Sequence, residues 1–112
     1  MSFKTNLIVL LLCAGNALAE TPLSGLEEIQ DLGRINGEAL ACSQMGVSNQ
    51  AKAMMIRHAP KTRSYGEVFE SATSTAFLAQ GEASLACPKE VEFSARLYAV
   101  GNRLQRVLPA AR

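Results

Sequence analysis

The sequence predicts an all-α fold: a small disulfide-linked helical bundle of about four helices after a cleaved signal peptide. Three observations predict it. Apolar residues recur at spacings of three and four along four separate segments. Capping or breaking residues bound each of those segments. β-branched residues are sparse and period-2 alternation is missing, so almost nothing reads as a strand.

The first nineteen residues read as a secretory signal. Lys4 supplies the positive start, Leu7 to Ala14 is a short apolar run, and Ala17-Leu18-Ala19 matches a small-x-small cleavage pattern. The run is too short for a hydrocarbon layer about 30 Å thick, which takes about 20 helical residues. Cys13 follows Leu11 and Leu12 where a lipobox needs a small residue. The expected organisation is a signal peptide over 1–19 and one all-helical domain over 20–112, with no transmembrane segment in the mature chain.

The first helix is expected to open at Ser24-Gly25-Leu26-Glu27, where Ser24 and Glu27 form a capping box. Leu26, Ile29, Leu32, Ile35, Ala39 and Cys42 make its apolar stripe, and Gly46 is a plausible stop. Gly33 and Gly37 each weaken a helix by about 1 kcal/mol against Ala. They therefore permit either close approach of a neighbour or an interruption near Gly33. Ser48 is expected to cap a second helix through Ala51, Met54, Met55 and His58, stopped by Pro60.

Ser64 or Thr62 opens a third helix, with Tyr65, Val68, Phe69, Ala72, Ala76 and Phe77 on one face and Gly81 as its close. Pro88 takes the first position of the fourth helix. The stripe of that helix, Phe93, Leu97, Val100, Leu104 and Val107, keeps the 4-3-4-3 spacing of a bundle seam. Charge alternates in sign along the chain. Residues 20–46 carry five acids against Arg34, residues 47–63 only bases, 64–92 five acids against Lys89, and 93–112 only bases. Helices of opposite sign are expected as neighbours.

Composition excludes several function classes. Hydrophobic residues at 48% with charged residues at 19% exclude disorder. Eleven bases against ten acids, with aromatics at 5%, leave no footprint for nucleic acid. Once the signal is removed, Cys42 and Cys87 are the remaining cysteines, and an even pair in an oxidising compartment reads as a disulfide. The expected location is periplasmic or secreted.

Arg57, His58, Lys61, Arg63 and Tyr65 form the densest polar stretch, a Pro-broken connection feeding a helix N-terminus. Such an end favours an anion or an acidic protein loop. The plain structural alternative is that these cations complement a helix dipole and sit in solvent. Arg96, Arg103 and Arg106 flank the seam of the fourth helix, as an acidic-partner surface or as the snorkelling edge of a buried face. Met54, Met55 and His58, with Met45 and a reduced Cys42, carry donors that suit Cu(I); the alternative is gap-filling core thioethers. No Cys-x-x-Cys-His is present for a c-type haem.

With one His, no Gly-x-Ser-x-Gly and no phosphate-cradling Gly-rich loop, catalytic constellations are missing; the carboxylate pairs Glu67/Glu70 and Glu90/Glu92 are the remaining hydrolase candidates. In size and cysteine placement the chain resembles small disulfide-linked helical periplasmic families, among them acid-stress chaperones and type VI secretion immunity proteins. No diagnostic motif of theirs is matched, so no residue role carries over. The expected function is a non-enzymatic accessory or protein-binding factor of the envelope, chaperone-, inhibitor- or immunity-like, without a cofactor. Its expected partner is another envelope protein, and the fourth helix's seam also allows a second copy. A small copper or haem carrier is the alternative, followed by a weak envelope hydrolase.

Overall fold

A computed structural model describes residues 23–82 and 86–110. The signal-peptide segment lies outside the described residues. Those residues form four helices and no strand: α1 (Leu26–Ala41), α2 (Met45–His58), α3 (Arg63–Glu82) and α4 (Glu90–Val107). Among them no helix is long and apolar enough to cross a membrane.

α1 is the hub. Its stripe Ile29, Leu32, Ile35 and Ala39 is buried, as its spacing predicts, against Val47 and Ala51 of α2 and Phe93, Leu97, Val100 and Leu104 of α4. α3 packs on α1 and, among the described helices, on no other. Cys42 and Cys87 are joined, with Cα atoms 5.7 Å apart, tying the end of α1 to the approach of α4.

Several boundaries differ from the sequence expectation. The Ser24–Glu27 capping box does not form. Gly25 is the N-cap at φ 79°, without a side-chain capping bond, and the Ser24 carbonyl instead accepts a hydrogen bond from the Tyr65 hydroxyl at 2.8 Å. A Cβ on Gly25 would meet Leu108 Cδ1 at 2.5 Å, so this glycine answers both a left-handed backbone and a close neighbour.

α1 stops before Gly46, through Ser43 at φ 60°. Gln44 N–H donates to Ala39 O at 2.8 Å and Ser43 N–H to Leu40 O at 3.3 Å, the paired bonds of a Schellman turn. Ser48 is therefore not a cap but lies inside α2, fully buried. α4 has Lys89 as its N-cap, one residue after Pro88. Lysine has no acceptor, so only the Glu92 half of a capping box is made, Oε1 accepting from Lys89 N–H at 3.0 Å.

Two expected core residues are at the surface, Phe77 at 45% exposed and Val107 at 41%. Val107 lies past the last buried residue of α4, Leu104, whereas Phe77 lies between the buried Ala76 and Gln80 on α3.

Candidate functional site

The contact between α1 and α3 rests on the two glycines of α1. The helix runs through Gly33 without interruption. A Cβ on Gly33 would lie 2.6 Å from the Phe69 carbonyl oxygen and 2.8 Å from Ala72 Cβ; one on Gly37 would overlap the Thr73 carbonyl oxygen. The helices thus approach backbone to backbone. A buried polar chain sets their register. Ser48 Oγ donates to Asn36 Oδ1 at 2.6 Å, and Asn36 Nδ2 donates to Thr73 Oγ1 at 3.2 Å. The Thr73 hydroxyl in turn reaches the carbonyl oxygens of Phe69 at 2.8 Å and Gly33 at 3.2 Å. α2, α1 and α3 are joined through one satisfied network, which costs little only because every member is paired.

Beside that contact, one side of α3 is left uncovered by the other described helices. A groove of about 760 Å³ opens there. Gln30, Arg34 and Glu38 line its α1 side; exposed Ser64, Glu67, Ser71, Thr75 and Ala79 and the more buried Val68, Ala72 and Ala76 line its α3 side. The lining is mostly apolar carbon with small side chains, and the groove is open on its outer side.

The residues singled out from sequence are not assembled into one site. His58 is buried, its Nδ1 donating to the Leu108 carbonyl at 2.8 Å, which fastens the end of α4 to α2. Tyr65 is buried and clamps the start of α1. Lys61 Nζ donates to Ile56 O at the end of α2. Arg57 is exposed, and Arg63 is 89% exposed with Glu67 at 3.9 Å. Two of the five thus hold helix ends together from the inside and three remain at the surface.

The arginines of α4 divide similarly. Arg96 makes a bidentate pair with Glu38, both bonds 2.9 Å, and stacks over the Phe93 ring with its Cζ 5.7 Å from the centroid. The hydrogen bond to Glu38 holds the Arg96 pKa above its usual value, against the lowering effect of burial. Arg103 pairs with Asp31 at 3.0 Å, and Arg34 takes the other oxygen of Asp31 at 2.8 Å. A second depression of about 240 Å³ lies among these three guanidiniums, already answered by two carboxylates. Arg106 is exposed.

Of the soft donors, Cys42 is in the disulfide and offers no thiolate. Met54 and Met55 are half-buried against the core, the Met54 methyl lying beside Gly101. Among the described residues no three His, Cys, Asp or Glu side chains gather as metal ligands. Of the candidate carboxylates, Glu92 caps α4, while Glu67, Glu70 and Glu90 are exposed.

Comparison with protein families, curated proteins and solved structures finds no match for this chain. The groove was not singled out in the sequence, although two signals for it were present. Gly33 and Gly37 pair by size with Ala72 and Ala76, four apart on the partner helix. α3 also carries a second stripe beside the one that meets α1: Ser64, Val68, Ser71, Thr75, Leu78 and Glu82 keep a 4-3-4-3-4 spacing. Small and polar members hide that stripe from a search for apolar periodicity.

Proposed function

We propose that the mature chain is an exported, non-enzymatic binding factor of the cell envelope, periplasmic or secreted, which captures a partner protein in the α1–α3 groove. The open groove is the observation that carries this reading: α3 presents a full helix length with one side packed and the adjacent side uncovered. Helix-lined grooves with apolar floors and polar rims are a recurrent peptide-recognition surface. The disulfide fits an oxidising compartment, and the segment before Glu20 carries the pattern of an export signal. The basic stretch over 57–65 is less suited, since His58 and Tyr65 are buried.

The test is site-specific photocrosslinking in the native host. A photoreactive side chain at Thr75 is expected to give a discrete adduct with another envelope protein. The same group at exposed Asn49 on α2 is expected to give none. Equal labelling from both positions, or none from Thr75, overturns the reading.

A further inference from the structure

The chemistry of the groove defines its occupant more closely, an inference that rests on the protein-binding reading above. The uncovered stripe of α3 has the spacing of a coiled-coil seam, and its seam positions include Ser71 and Thr75 at the centre. Small seam residues leave room for large knobs from the other side. Leu78, 55% exposed, stands on the same stripe as an unused apolar contact. A helix repeating large apolar residues at 4-3 spacing matches such a seam along its length, as a compact small molecule does not.

Charge sets the second requirement. α1 and α3 are the two acidic helices, and they pack on each other despite like sign because the contact is glycine against backbone. Asp31 and Glu38 are neutralised by α4. Of the exposed acids, Glu67 lines the groove, with Arg63 at 3.9 Å, and Glu82 continues the uncovered stripe toward the end of α3. On the groove wall the one base, Arg34, is bound to Asp31. A second copy docking the same face would set carboxylates against carboxylates, a repulsive juxtaposition.

We propose that the α1–α3 groove receives an amphipathic helix of a partner protein, with large apolar residues at 4-3 spacing and Lys or Arg on its flanks.

Two synthetic 18-residue helical peptides test this, sharing one 4-3 leucine stripe but flanked by Lys in one and Glu in the other. Each is titrated into the isotope-labelled, oxidised mature protein and followed by NMR. The Lys peptide is expected to shift amides of residues 30–38 and 64–82 and to bind at least about tenfold more tightly than the Glu peptide, with the margin shrinking as salt rises. Glu67→Lys with Glu82→Lys is expected to reverse the preference while leaving helicity intact. Equal or tighter binding of the Glu peptide overturns the proposal, as does a footprint outside the groove or no shift with either peptide. A homodimer protecting the same residues overturns it too. An adduct at Thr75 without a preference for the Lys peptide discards the basic helix and keeps the protein-binding reading. Loss of both discards both.

Discussion

α4 and α3 attach to the same helix by opposite means. α4 meets α1 and α2 through large side chains: Phe93 and Leu104 are fully buried, a disulfide ties its approach to α1, and Arg96 and Arg103 reach across to acids of α1. α3 meets α1 most closely through glycine, alanine and one threonine-centred hydrogen-bond chain, with Tyr65, Val68 and Phe69 as its larger side chains against the core. The first attachment gains from apolar area removed from water, about 25 cal/mol per Å². The second depends on shape, since its closest contacts involve little side chain. The disulfide bypasses α3 altogether, so α4 is held to α1 whatever α3 does. The lesson is that a helix anchored by backbone contact keeps its neighbouring side free, and that free side is where the groove lies.

Breaking the large-side-chain attachment should give the largest effect. Phe93→Ala is expected to cost about 3–5 kcal/mol, read as a lower urea midpoint with all four helices lost together. Gly37→Ala attacks the other attachment. Alanine adds about 1 kcal/mol of helix propensity, yet its methyl group overlaps the Thr73 carbonyl, so a net loss of about 1–3 kcal/mol is expected. Native-state hydrogen exchange should place that loss in α3 while α1, α2 and α4 stay protected. A gain in stability would mean that α3 does not sit where the glycines admit it.

Asn36→Ala removes the middle of the polar chain and leaves the buried Ser48 hydroxyl without its acceptor. A cost of about 1–3 kcal/mol is expected, with α3 again opening first. Arg96→Ala should cost about 1 kcal/mol, because the pair with Glu38 is bidentate but partly exposed. Its thermal midpoint should move by a few degrees and α3 should be unaffected. Ser71→Tyr is expected to change stability by less than about 0.5 kcal/mol, as the site is exposed, yet to remove the Thr75 photoadduct by filling the groove. An unchanged adduct would separate the groove from the function.

Much of the large-side-chain attachment was legible in the sequence. Ile29, Leu32, Ile35 and Ala39, and Phe93, Leu97, Val100 and Leu104, are buried where their spacing places them, and Cys42–Cys87 pairs as the cysteine count implied. Apolar side chains announce themselves through periodicity, whereas an attachment made of absent side chains announces itself only when its partner is known. Gly33 and Gly37 therefore left two readings open until α3 was placed against them. The same limit hid Asn36, Ser48 and Thr73, polar residues that would each be exposed in an isolated helix. Charge alternation agrees with α1 meeting α2 and α4 but fails for α3, whose one neighbour among the described helices is the like-signed α1; a contact at backbone distance keeps the acids of both helices at its edges.

By itself the sequence determined the helical class, the number and approximate extent of the helices, the cysteine pair and the residues of the main core. These follow from local capping and from side chains seeking burial, which act within a few turns of chain. Tertiary structure decided that α1 is the hub, that His58 and Tyr65 turn inward, and that α3 rests on glycines beside an open groove. Those features arise between segments far apart in sequence, where the fit of one backbone against another, and not the hydrophobicity of either, settles what is covered and what stays free.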